Sequence, residues 1–343
     1  MRPTVLIALA LACAAALPAA ACQALLVGGE PGSPLYQRRF QDWLTRWHGL
    51  LTRAGAEVQV LSADGSFRAP IVTGPATAAG VIAAIDGIAA KAGREQQFVL
   101  VLMGHGSNVE GAGPRLLLPG PDLEVEPLAK ALAAIRCRQQ VVINLAGIAG
   151  EWTAGLAAAE RVGIAASSPG ELPEPAFGEF LLRAYEDGRA DGDGGGPKDG
   201  AIDCLEAFTW ATRESVHWIA RLRYNAEAGH WRVDGRDSVA VFERLFAGIA
   251  GVPGARKLDP ESDRNAADKV PEIQPADGVI TAAWDGRRMI DEHAMLEDCG
   301  VAEGVPGLGP SGFTAFPASE RLQPGWLARR TILGRPQPAA GKP

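Results

Sequence analysis

A histidine stands between two glycines in Met103-Gly104-His105-Gly106-Ser107. The segment follows the apolar run Phe98 to Met103, which reads as a strand, so the imidazole is expected at a strand end. Open α/β sheets hold their ligands at that edge, and an uncrowded imidazole there suits proton transfer. A turn histidine without chemistry is the plainer reading. The Gly-x-Gly lacks the third glycine and the following helix of a dinucleotide loop. A second strand end reads Asn144-Leu145-Ala146-Gly147-Ile148-Ala149-Gly150. It holds no Cys, Ser or Thr from 145 to 149, so nothing there can attack a carbonyl and His105 has nothing to activate. Ser167 and Ser168 end a further strand on the same side. With Gly106 and Ser107 they are candidates for lining a binding cleft, or simply loop serines before Pro169. Cys137 lies between Arg136 and Arg138, whose charges would lower a thiol pKa. It precedes its strand, however, and so belongs at the opposite end of the sheet from His105.

The second constellation is acidic. Asp191-Gly192-Asp193 is followed, after a glycine-rich insertion, by Asp199-Gly200-Ala201-Ile202-Asp203-Cys204-Leu205-Glu206. From Asp199 onward the spacing is that of the later part of an EF-hand loop. Asp191, Asp193, Asp199, Asp203 and Glu206 could supply carboxylate oxygens to calcium, with the Ala201 carbonyl as a further ligand. The insertion between Asp193 and Asp199 departs from that loop. The alternative is a helix start, with Asp203 as N-cap and Glu206 at N3, and the two readings are compatible.

The elements that must hold these residues alternate. Strands are expected over Ala24 to Gly28, Glu57 to Ser62, Phe98 to Met103, Gln140 to Leu145 and Val162 to Ala166. Between and after them helices are expected over Tyr36 to Arg53, Thr77 to Ala92, Glu124 to Ile135, Glu151 to Glu160 and Phe177 to Tyr185. A short hairpin follows His105. The order predicts an α/β domain over 22–225, a mostly parallel sheet with helices on both faces. After about 225 the periodicity fades into a Gly/Pro-rich extension over 226–343, partly ordered, with one short helix expected over Ser238 to Ile249. His48, His217, His230 and His293 form no zinc spacing.

Residues 24 to about 210 resemble the caspase-fold, legumain-like (C13-type) peptidase homologues of bacterial envelopes. The resemblance is carried by Leu25-Leu26-Val27-Gly28-Gly29, Gly104-His105-Gly106-Ser107, Pro119-Gly120-Pro121-Asp122-Leu123, Asn144 to Gly150, Phe177-Gly178-Glu179-Phe180, and Asp199-Gly200 to Glu206-Ala207-Phe208. Glu292-His293-Ala294-Met295-Leu296 and Leu327-Ala328-Arg329-Arg330 are similar too. It implies a three-layer caspase-like sandwich, a general base at His105, and a nucleophile at the position that Gly147 occupies. His105 precedes Gly147 by 42 residues, and in caspases the histidine lies about 50 residues upstream of the cysteine. With glycine there, the resemblance implies the fold more firmly than proteolysis.

Composition bounds the rest. The chain has 343 residues, 47% hydrophobic and 21% charged, with 42 glycines and 25 prolines. It is globular in type, and its net charge of −7 without a basic block argues against nucleic-acid partners. Met1-Arg2, an apolar run from Val5 to Leu17 and Ala19-Ala20-Ala21 read as a signal peptide over 1–21. The run is too short to span a bilayer, so no transmembrane span is expected. Periplasmic or envelope localisation follows. Small residues before Cys22 also resemble a lipoprotein signal, although Ala19 stands where Leu is usual. Membrane anchoring is expected only if Cys22 is acylated. Cys22, Cys137, Cys204 and Cys299 are too dispersed for a zinc site, and one disulfide could form among them. Two functions are expected to compete. One is a catalytically inactive pseudoenzyme that binds an extended peptide or envelope protein. The other is an active cysteine-type endopeptidase with an unrecognised nucleophile.

Overall fold

The structure, a computed structural model, describes residues 22–109, 113–167, 177–225, 294–297 and 327–335, without the side chains of 35, 109 and 216–225. The expected signal peptide, Ser168, the Ser238 to Ile249 helix, His230, His293, Cys299 and most of the extension lie outside the described residues. The side chain of His217 does too.

Three strands form the centre because their side chains are apolar on both faces. β1 (Cys22–Gly28), β4 (Gln97–Met103) and β8 (Gln139–Asn144) are buried at every position. They pair in parallel, with Leu26 opposite Val101 and Val99 opposite Val141. β2 (Ala56–Ser62), β3 (Gly74–Pro75) and β9 (Arg161–Ala165) extend them. β10 (Met295–Glu297), from the C-terminal extension, closes the far edge antiparallel to β9. The sheet is seven-stranded, in the order β10-β9-β8-β4-β1-β2-β3. A small antiparallel sheet of β5 (Gly106–Val109), β6 (Gly113–Leu116) and β7 (Leu123–Glu124) stands beyond the β4 end.

Helices cover both faces, and strand alternation sorts the core between them. Ala24, Leu26, Val99 and Val101 pack toward α1 (Pro34–Arg53), α5 (Phe177–Asp187) and α6 (Cys204–Asn225). Leu25, Val27, Leu100 and Leu102 pack toward α2 (Ala78–Ala89) and α3 (Val125–Ala134). The expected α/β class is therefore present, as three layers around a mostly parallel sheet. α1 starts where the sequence dictates: the Ser33 hydroxyl accepts the Tyr36 N–H at 3.5 Å, and Pro34 opens the first turn. Among the described residues no helix is long and apolar enough to cross a membrane.

One expected helix is corrected. Glu151 to Glu160 does not form a single helix. A 3₁₀ turn over Ala149–Trp152 leads into α4 (Thr153–Leu156), and the chain then leaves helical geometry at Ala157. Glu160 adopts φ 61°, and the Gln140 N–H bonds its carbonyl at 3.0 Å, so the entry into β9 overrides the local periodicity.

The extension returns a second time. Residues 327–335 seal the N-terminal end of the central strands. Gln97 Nε2 donates to the Ile332 carbonyl at 3.0 Å, Gln139 Nε2 to Thr331 Oγ1 at 2.6 Å, and the Gly334 N–H to Gln97 Oε1 at 2.7 Å. The Cys204 N–H bonds the Thr331 carbonyl at 2.9 Å. Three glutamines at the strand starts, Gln97, Gln139 and Gln140, are thus buried without being wasted, because each amide is spent on backbone or another side chain.

Candidate functional site

β4 and β8 deliver His105 and Gly147 to the same edge of the sheet. Close backbone approach joins them: the Gly147 N–H bonds the Gly104 carbonyl at 3.1 Å. A Cβ on Gly106 would lie 2.0 Å from the Gly147 carbonyl oxygen. Glycine at 106 is therefore a packing requirement. Gly29, at the end of β1, makes a similar approach, and a Cβ there would lie 2.9 Å from the Leu117 carbonyl oxygen.

The His105 ring is half-buried and firmly placed. Its Nε2 lies 3.0 Å from the Pro31 carbonyl oxygen. A carbonyl only accepts, so Nε2 is the donor in this bond. Tyr36 meets the imidazole edge-on at 4.4 Å between centroids, and Phe40 at 5.7 Å. These three partners all come from the end of the β1 loop and the first turns of α1. They were not legible as site residues: a backbone acceptor has no side-chain signature, and the aromatics read as one face of a core helix.

Across from them the Gly147 turn carries strain. Ile148 adopts φ 55° and ψ 29°, left-handed geometry that is unusual for a β-branched residue. Gly147 itself does not have positive φ, so backbone conformation does not demand glycine there. Asn144 ends β8 with its Oδ1 accepting the Ala146 N–H at 3.1 Å, an Asx turn that fixes the exit. The amides of the turn are largely engaged. Leu145 bonds Leu102, Ala146 bonds Asn144, Gly147 bonds Gly104 and Gly150 bonds Ser167 Oγ. Among the described residues, the amides of Ile148 and Ala149 take no partner of this kind.

The other candidates fall into place around this edge. Ser107 is on β5, opposite Arg115. Ser167 has no exposed surface and its Oγ accepts the Gly150 N–H at 3.4 Å, so it braces the turn from behind. Cys137 lies before β8, at the other end of the sheet; a six-residue strand spans about 20 Å. Its expected low thiol pKa is corrected: burial pushes it up to about 11, outweighing the sequence-adjacent arginines. Cys22 is fully buried at the start of β1 and its thiol is pushed up to about 12, again by burial. Among the described residues no disulfide joins Cys22, Cys137 and Cys204, and no thiol or hydroxyl is a hydrogen-bond partner of His105.

The acidic loop forms the helix start described by the capping reading. Asp203 Oδ1 accepts the Glu206 N–H at 2.8 Å, and Glu206 Oε2 accepts the Asp203 N–H at 3.0 Å. Glu206 Oε1 takes the Gly192 N–H at 2.9 Å, and Asp191 takes the amides of Asp199 and Gly200. Asp199 takes the Ala201 N–H, while Asp193 turns to Arg213 as a bidentate pair at 2.9 and 3.1 Å. Burial raises the Asp203 pKa to about 6. Among the described residues no group of three or more His, Cys, Asp or Glu is placed to hold a metal ion.

Neither a family model nor a curated protein matches this chain.

Proposed function

We propose that this chain is an exported, caspase-fold, legumain-like peptidase homologue that has lost its nucleophile and works by binding. The occupant of its strand-end cleft would be an extended peptide or a segment of an envelope protein. One observation carries the reading. Gly147 stands at the strand end beside the His105–Gly106 turn, while the oriented imidazole has no thiol or hydroxyl partner among the described residues. A base held by a carbonyl but facing no nucleophile cannot open a covalent path. Removing the nucleophile of a triad-type enzyme costs about 10⁶ in rate.

The test uses the full chain with a broad fluorogenic peptide library, with and without reductant and calcium. No hydrolysis above background is expected. A rate that falls about a hundredfold or more in His105→Ala would establish an active peptidase instead. Gly147→Cys adds a second readout, since its thiol should react with an active-site-directed electrophile faster than the same variant carrying His105→Ala. Export is tested by N-terminal sequencing from native envelopes. A start at Cys22 or nearby is expected, and a chain still beginning at Met1 refutes export. The complete burial of Cys22 argues for release without a lipid anchor, because an acylated sulfur would have to leave the core beneath residues 327–335.

A further inference from the structure

At the end of the sheet opposite His105, a cavity of about 480 Å³ opens between α3, the loop into β8 and the turn from α4 into β9. Its size is that of a small-molecule site. Alanines of α3 and of the 157–159 turn, with Gly155, make much of its wall, so no bulky side chain fills it. Its charged lining is three arginines, Arg94, Arg136 and Arg161, against one carboxylate, Glu160, in a chain whose net charge is −7.

The cationic lining is built in two tiers. Arg161 is 4% exposed and rigidly set: its Nε and Nη2 donate to Gln140 Oε1 at 3.1 and 2.9 Å, and its Nη1 to the Leu156 carbonyl. Gln140 is itself anchored, its Nε2 donating to the Ile135 carbonyl at 3.1 Å. Arg94 and Arg136 stand at the rim, exposed, and no carboxylate pairs with either among the described residues. The left-handed Glu160 that ends the 157–160 turn is a second strained residue, here shaping a pocket wall. Cys137 also lines the cavity, its thiol pKa pushed up to about 11 by burial.

We infer that this cavity is a binding site for a small organic anion, a compound with a compact apolar body and one carboxylate or phosphate group. The acidic group would pair with Arg94 and Arg136 at the rim, with Arg161 supplying fixed positive potential below, while the body lies against the alanine wall. This site does not depend on the fate of His105 or Gly147.

Isothermal titration of the full chain with benzoate, phenyl phosphate and inorganic phosphate tests it, with benzamide as the neutral control. Millimolar or tighter binding of benzoate or phenyl phosphate is expected, weakening with added salt, with benzamide silent. A preference for phenyl phosphate assigns a phosphate ester, and a preference for benzoate a carboxylate. The double variant Arg94→Gln/Arg136→Gln should weaken binding about tenfold or more, while Arg38→Gln on the exposed side of α1 should not. Ala133→Phe, which fills the cavity without changing charge, should also abolish binding. The proposal is overturned if neither organic anion binds, if benzamide binds equally, or if the double variant and Ala133→Phe bind as the natural chain does.

Discussion

Gly106→Ala isolates the contact that holds the two strand ends together. The added Cβ would meet the Gly147 carbonyl oxygen at 2.0 Å and Ile148 Cγ1 at 2.7 Å. Real contacts of this kind do not fall below 3.0 Å, so the carbonyl must retreat by at least about 1 Å. It is poorly free to do so: the Gly147 N–H is tied to Gly104, and the next residue already sits at φ 55°. Overpacking of a filled site costs about 1–3 kcal/mol. For a domain of about 150–250 residues each kcal/mol moves Tm by about 2–4 °C, so Tm should fall by about 2–12 °C. Gly87→Ala is the matched control. It lies in α2 with nothing within 4 Å of its added Cβ, and should gain about 0.5–1 kcal/mol. Thermal unfolding followed by circular dichroism reads both. A Gly106→Ala melting temperature within a degree of the natural chain refutes the close approach and the site geometry derived from it.

Thr331→Val removes the acceptor of Gln139 Nε2 and strands a buried amide, costing about 1–3 kcal/mol. Adding Gln139→Met should cost less than the two singles summed, and full additivity in denaturant unfolding refutes the pairing. Asp203, with its pKa raised to about 6 by burial, holds its proton more tightly folded than unfolded. Its contribution is thus complete below about pH 4 and lost as pH rises through about 6, so Tm should decline across that window. Asp203→Asn keeps the cap acceptor and should flatten the decline; an unchanged profile refutes the assignment. Calcium at the 191–206 loop, if the carboxylates there release their present donors, would raise Tm at millimolar concentration by mass action. Identical melting in calcium and in chelator makes the loop a helix cap only.

The centre of the fold was legible because β1, β4 and β8 carry the continuous apolar runs Ala24 to Val27, Phe98 to Met103 and Val141 to Ile143, which a strand covered on both faces explains. The helix over 151–160 misled because its apolar spacing continues past Leu156, while the turn into β9 is set by the Glu160 carbonyl meeting Gln140 across the sheet. β10 is three residues long and is a strand only because β9 offers it an open edge. Residues 327–335 carry no periodicity; glutamine amides 192 to 237 positions away hold them. At the site, His105 came from its place after an apolar strand run, and Gly147 from the family resemblance. The Pro31 carbonyl that orients the imidazole could not, and the Cys137 pKa went wrong because neighbours in sequence count for less than burial.

The return of the C-terminal extension sets an order for the making of this protein. Gln97 and Gln139 emerge well before their partners Ile332 and Thr331, which follow 235 and 192 positions later. β9 likewise waits for β10 to cover its edge. Such distant pairings must overcome loop-closure entropy before they are rewarded, which slows folding and leaves an unpaired strand edge exposed meanwhile. Until residues 294–297 and 327–335 are in place, the edge of β9 and the amides of Gln97 and Gln139 lack these partners. Arrival of residues 294–297 and 327–335, rather than collapse of the core alone, is therefore what completes the sheet edge and the glutamine pairings.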